Sequence, residues 1–366
     1  MNKEEKISQG AISNLMLYKK TIDKELSVFF KEQLAEAQKI DRTSYQVIKA
    51  LEDFNLRGGK RLRASLTFYA FKCFSKQKPD RKIIRASVVM ELVQSFLLIH
   101  DDIIDRDSLR RGGSTIHKIF EEIGEKNFHF DKNLEERKHF GRAMAILAGD
   151  ICASLANILL FETEIKNKSE IIYEINKVIR DTNFGQVIDL RNGYSDKFTK
   201  NTALKIYKLK TANYSIEIPI KIGAILAGAS KKELIKIKEY AEPLGIAYNI
   251  QDDLLELFGK NKKFGKPMGS DLKEGKKTLI VLKTLEKATK EEIVFIKEKL
   301  GDAKMTNKDI EKIKRIMVKT GSLDYCIKYA KKLIKKANKI VAEQNYNKEG
   351  EEFILGIGDY LLEREY

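Results

Sequence analysis

Residues 97–113 read LLIHDDIIDRDSLRRGG. An apolar run passes directly into Asp101, Asp102, Asp105 and Asp107, and then into the adjacent Arg110 and Arg111. Upstream, Val88, Val89, Leu92, Val93, Phe96 and Leu97 join Ile103 and Ile104 in covering much of a helix circumference, the pattern of an interior helix. Successive helical residues turn about 100°, so Asp101 and Asp105 stand about 40° apart with Asp102 beside them. The three carboxylates therefore crowd one helix end. Like charge cannot be buried unpaired, so it is either neutralised by cations or set at the mouth of a cleft. Clustered carboxylate oxygens suit a hard divalent ion such as Mg2+, which takes one or two carboxylates plus waters and phosphate oxygens.

The pattern recurs in AYNIQDDLLELFG, residues 247–259, where Asp252, Asp253 and Glu256 repeat the spacing at the end of a second apolar helix. Two such ends, each followed by basic residues and glycines, fit carboxylate clusters that face each other, hold metal ions between them and through these hold a polyphosphate. Lys60, Arg61, Arg63, Arg110, Arg111, Lys210, Lys266, Lys276 and Lys277 supply the point charges and guanidinium forks such a ligand needs. In FNLRGGKRLRASLTFYAFKCF, residues 54–74, a basic Gly-containing turn leads straight into an apolar helix, which is the layout of an anion site at a helix start. No Ser/His pair, Cys/His cluster or Walker loop competes, and His100 and His117 near the motifs read as structural.

The 366 residues carry a net charge of +16. Lysines alternate with glutamates along what read as solvated helix faces and form no Arg/aromatic cluster, so the excess points to surface chemistry and not to nucleic acid. Four prolines, 22 glycines and no linker-like stretch, with helical periodicity over long segments, give one all-α unit. Residues 1–14 are expected to be disordered and 15–366 to form a single domain. Helices are expected over 15–39, 84–105, 141–160, 169–193, 202–227 and 231–258, the last bent at Pro243, with surface loops over 121–138 and 260–277 and about three amphipathic helices closing the chain. Cys73, Cys152 and Cys326 are far apart in apolar surroundings and read as reduced core thiols. With no apolar run at the N-terminus, no transmembrane segment and a cytoplasmic location are expected.

Five ordered motifs, GGKRLR (58–63), VQSFLLIHDDIIDRDSLRRGG (93–113), GRAMAILAGD (141–150), KLKTANYS (208–215) and NIQDDLLELFGKNKKFGKPMGSDLKEGKKTL (249–279), make the chain resemble the trans-type polyprenyl diphosphate synthases. The resemblance implies the isoprenoid-synthase helical bundle around a central cavity, a homodimer, and three Mg2+ ions per site, replaceable by Mn2+. It assigns metal to Asp101, Asp102, Asp105, Asp252, Asp253 and Glu256, the allylic diphosphate to Arg110, Lys210 and Lys266, and isopentenyl diphosphate to Lys60, Arg63, Gln94 and Arg111. Thr211, Gln186 and Asn249 would line the space where the carbocation forms. Glu256 stands where the family more often has Asp, Asn249 where it has Gln, and Gln94 where many relatives have His. In resembling enzymes a bulky residue five before the first Asp stops chain growth early; Phe96 with Leu97 beside it therefore implies a short product, geranylgeranyl diphosphate ahead of farnesyl diphosphate. A terpene cyclase would not need the GGKRLR turn or the arginine pair, and a silent regulatory subunit would not need both acidic triplets intact.

Overall fold

The computed structural model describes residues 3–128, 133–195, 198–259 and 269–363. Helices α1 (Lys3–Ile40) and α2 (Arg42–Leu56) meet at Asp41, whose carboxylate accepts the Ser44 N–H at 2.6 Å. α1 starts inside the segment expected to be disordered. Ser8 and Ala11 are buried there, because α16 (Lys348–Glu363) packs so closely that a Cβ on Gly356 would stand 2.6 Å from Ala11. Tertiary packing, which local sequence does not display, holds this part of α1 in place.

α3 (Leu62–Phe74) and α4 (Arg81–Ile104) follow, with α4 at the centre of the molecule: Val88, Val89, Met90, Leu92 and Val93 are buried. The stretch expected as a loop over 121–138 is instead helical on both sides of 129–132, in α5 (Ile116–Phe128) and α6 (Leu134–Glu162). Its apolar stripe begins upstream with Ile116 and Phe120, so a window opening at residue 121 sees only the charged part of an amphipathic helix. Between α4 and α5 lies a two-stranded ribbon, β1 (Leu109–Arg110) with β2 (Gly113–Ser114). Arg111 and Gly112 turn it with φ of +53° and +75°, the backbone a tight hairpin demands.

α7 (Lys168–Gly193) matches expectation. The expected helix over 202–227 is three pieces in one rod: α8 (Lys200–Ile206), a π-helical segment (Tyr207–Glu217) and α9 (Ile218–Leu226). α10 (Lys231–Phe258) begins in a Ser230/Glu233 capping box and continues through Pro243. Within the stretch 260–277 expected as a loop, residues 260–268 lie outside the described residues and α11 (Ser270–Lys273) is a short helix; beyond it, where about three closing helices were expected, there are five, α12 (Leu279–Leu285), α13 (Lys290–Lys299), α14 (Asn307–Lys319), α15 (Ser322–Ala342) and α16. Cys73, Cys152 and Cys326 are free and buried, and burial pushes the Cys152 and Cys326 thiols up to about 12. By length and composition α4 and α6 could cross a membrane; of the most apolar 18-residue stretch of each, the bundle buries 67% in α4 and 44% in α6.

Candidate active site

A cavity of about 1100 Å³ opens between α4, α7, the π-helical segment and α10, with the 57–61 turn and the ribbon at its mouth. The π-helical segment brings Tyr207, Lys210, Thr211 and Tyr214 to this wall, and wide turns of that kind concentrate at functional sites. Two glycines let neighbouring helices close on it: a Cβ on Gly185 of α7 would stand 2.7 Å from the Lys210 nitrogen, and one on Gly245 of α10 2.5 Å from Ala212.

The first acidic triplet does not act as one unit. Asp101 lines the cavity, 3.4 Å from the Lys210 ammonium, whereas Asp102 is buried on the far side and accepts Arg110 Nε at 2.7 Å. Burial drives the Asp102 carboxyl up to about 7, and the Arg110 guanidinium opposes the rise. Arg110 also reaches Asp107 at 3.0 Å and Asp101 at 3.8 Å, so one guanidinium ties three carboxylates together. Asp105 accepts Lys276 Nζ at 2.8 Å; Lys276 in turn bridges to Asp271 at 3.1 Å and Glu274 at 2.6 Å, joining the end of α4 to the loop after α11.

All three carboxylates of the second triplet line the cavity, each in different surroundings. Asp252 faces the cavity. Asp253 accepts the Tyr207 hydroxyl and Asn249 Nδ2 at 3.3 Å, and burial followed by repulsion from Asp271 holds its carboxyl well above the usual range. The same Tyr207 oxygen accepts the Leu279 N–H at 2.9 Å, fixing α12 to the site. Glu256 accepts Ser270 Oγ at 3.1 Å, and burial raises it to about 7.

Among the described residues, Glu256 Oε2 and Asp102 Oδ2 are buried without a hydrogen-bond partner, and oxygens of Asp105, Asp107 and Glu274 lie within 4.8 Å of one another. An all-oxygen, all-carboxylate donor set with buried oxygens to spare fits a hard divalent cation.

At the mouth, positive charge gathers. Arg63 donates to Ser215 Oγ at 2.6 Å and lies 4.4 Å over the Tyr214 ring; Arg111 donates to the Phe54 carbonyl at 3.2 Å. Burial, with repulsion from Arg61, Arg63 and Arg110, pushes the Arg111 guanidinium down to about 10. A guanidinium so crowded by its own kind marks a place for an anion. Lys60 is exposed and donates to the Tyr360 hydroxyl at 2.6 Å, and Gln94 lines the same wall.

Two of the expected cations, Arg61 and Lys277, line the cavity but are bonded within the protein. Arg61 is buried against Asp23, Glu91 and the Asn55 carbonyl, where it braces the turn. Lys277 donates to the carbonyls of Asn192, Gly193 and Ser195 and so caps the C-terminal end of α7. Lys266 lies outside the described residues. Thr211, Gln186 and Asn249 all line the cavity, and Gln186 Oε1 is buried without a partner among the described residues. Phe96 does not line it: the wall carries Leu97 and Leu98, while the Phe96 ring stands 5.0 Å edge-on behind His100, which does reach the cavity.

Sequence reading missed Asp189, which accepts Lys210 Nζ at 2.9 Å, as well as Tyr207, Asp271, Glu274 and Tyr360. Asp189 was within reach, since it follows Gln186 by three on one helix face. Nothing local marks Tyr207 or Tyr360.

Residues 45–317 match the family model described as Polyprenyl synthetase. A short chain isoprenyl diphosphate synthase of Methanocaldococcus jannaschii is 31% identical over 309 residues, 83% of this chain and 84% of that protein. A geranylgeranyl diphosphate synthase of Methanosarcina mazei is 32% identical over 311 residues, 84% of this chain and 87% of that protein. Among solved structures, a geranylgeranyl pyrophosphate synthase from Corynebacterium glutamicum, complexed with isoprenyl diphosphate and magnesium, superposes with a TM-score of 0.86 at 25% identity, covering 94% of this chain and 98% of that one.

Proposed function

Since the chain belongs to the polyprenyl synthetase family, we propose that this short-chain prenyltransferase condenses isopentenyl diphosphate with an allylic diphosphate and releases a C20 product, geranylgeranyl diphosphate. The observation that carries the reading is the cavity itself: cavity-facing carboxylates from two helix ends at one side, a guanidinium-crowded anion site beside them, and apolar Leu97 and Leu98 on its wall. Relatives such as the Methanosarcina mazei enzyme support the product length.

Asp101, Asp105 and Asp252 would hold the magnesium directly, with Glu256 Oε2 as a further donor; Asp102 and Asp253 would act through the Arg110 and Tyr207 they hold. The bound metal supplies charge that stabilises the leaving diphosphate. Arg110 and Lys210 grip the allylic diphosphate, while Lys60, Arg63, Gln94 and Arg111 hold isopentenyl diphosphate so that its double bond meets the allylic carbon. The Thr211 hydroxyl and the Gln186 carbonyl turn lone pairs toward the developing cation. Apolar walls exclude the water that would quench it. The diphosphate released within the site takes up the proton lost from the new chain. Leu97 sets the floor directly and Phe96 sets it by propping His100.

The enzyme works as a homodimer in the cytoplasm, a location that suits three reduced cysteines. The test is product analysis after incubating the protein with Mg2+, labelled isopentenyl diphosphate and farnesyl diphosphate. A C20 alcohol after dephosphorylation is expected, and Leu97→Ala should lengthen it; Mg2+-dependent loss of farnesyl diphosphate without elongation would replace this reading with a cyclase.

A further inference from the structure

The last helix ends at the cavity. α16 is pinned by buried Phe353, Ile354 and Ile357, by stacking of Phe353 on Tyr69 at 3.9 Å, and by Asp359, which accepts Asn338 Nδ2 at 3.1 Å. Three residues beyond Ile357, Tyr360 joins the cavity wall. There its hydroxyl accepts Lys60 Nζ at 2.6 Å, and the ammonium stands 4.8 Å from the centroid of its ring. The backbone of Lys60 is also fixed, by Gly58 and Gly59 at φ of +108° and +93° and by the buried Arg61 beside it. What is left free is a four-carbon side chain, exposed to water, that would otherwise sample many rotamers.

We propose that Tyr360 is a positioning residue for isopentenyl diphosphate: its hydroxyl holds the Lys60 ammonium in the cavity, where that ammonium meets the diphosphate. A hydroxyl that accepts from an ammonium engages one of its three N–H bonds and leaves the other two to converge on the anion. The proposal rests on Lys60 being a ligand of isopentenyl diphosphate, as read above. It makes the C-terminal helix, some 300 residues away in sequence, part of the site for the unactivated substrate.

The experiment compares Lys60→Ala, Tyr360→Phe and the double variant by steady-state kinetics, with thermal melting of each. Tyr360→Phe keeps the ring and its packing, so its melting temperature should stay with the wild type. Its KM for isopentenyl diphosphate should rise about tenfold, the order expected for a hydrogen bond to a charged group. Its kcat and its KM for the allylic diphosphate should hold. In the Lys60→Ala background, adding Tyr360→Phe should change the KM for isopentenyl diphosphate much less, because the ammonium it orients is gone. An unchanged KM in Tyr360→Phe, or an equal rise in both backgrounds, overturns the positioning role while leaving the active-site reading intact. A Lys60→Ala variant with wild-type KM overturns both.

Discussion

Asp101 and Asp102 are neighbours on α4 and meet opposite surroundings: one faces the cavity and Lys210, the other is buried on Arg110. The turn of about 100° between adjacent helical residues is enough to separate them. A run of acids is thus a mixture of ligands and of residues that hold ligands, and spacing alone does not sort them. His117 shows how local chemistry sets a titration. Its Nδ1 stands 3.2 Å from Thr115 Oγ, whose hydroxyl donates to the Asp107 carbonyl at 2.9 Å, so the imidazole donates and the neutral ring fits. Burial, then Lys118, lowers its pKa below the ordinary 6.5. The folded state therefore binds the proton less well than the unfolded chain. Stability from this group is complete above about pH 6.5 and is lost as pH falls below it. As pH falls below about 6.5, the melting temperature of His117→Asn should gain on that of the wild type; parallel profiles would show that this imidazole carries none of the pH dependence.

At the scale of elements, helix ends decide the site. α4 and α10 present their carboxylates because each apolar run stops where the cavity opens, and this was legible in residues 97–113 and 247–259 alone. The ribbon that points Arg110 and Arg111 inward was not, because two-residue strands have no period to detect. Nor was α11, a single turn inside the stretch expected as a loop. Gly185 carries a testable consequence of close packing. Gly185→Ala places a Cβ 2.7 Å from the Lys210 nitrogen, so α7 or the π-helical wall must shift. A loss of about 1–3 kcal/mol in stability is expected from overpacking of this kind. It should come with a raised KM for the allylic diphosphate, because Lys210 moves; a stable variant with unchanged kinetics would show that the contact yields without moving the site.

Over the whole molecule, one surface is out of keeping with the rest. Leu147, Ile151, Ile158 and Phe161 of α6 and Phe184, Val187 and Leu190 of α7 are exposed, with Phe161 at 72% and Val187 at 63%. Two adjoining helices that turn apolar side chains to water form the kind of patch that a second copy covers about a twofold axis. Sedimentation velocity should find a dimer, and Leu147→Glu with Val187→Glu should give a monomer; a wild-type monomer would remove the twofold model. The fold class and the two acidic ends were readable from sequence because both are local patterns. The Tyr360–Lys60 contact and the ordered start of α1 were not, since each depends on chain ends that meet only in three dimensions. The π-helical segment joins the two cases. It acts as a phase slip: an apolar wave of 3.6 residues entering at Lys200 loses step at Tyr207 and recovers it at Ile218. The interval between is where backbone has been turned toward the ligand, so a stumble in an otherwise regular rhythm can itself be read as an address for chemistry.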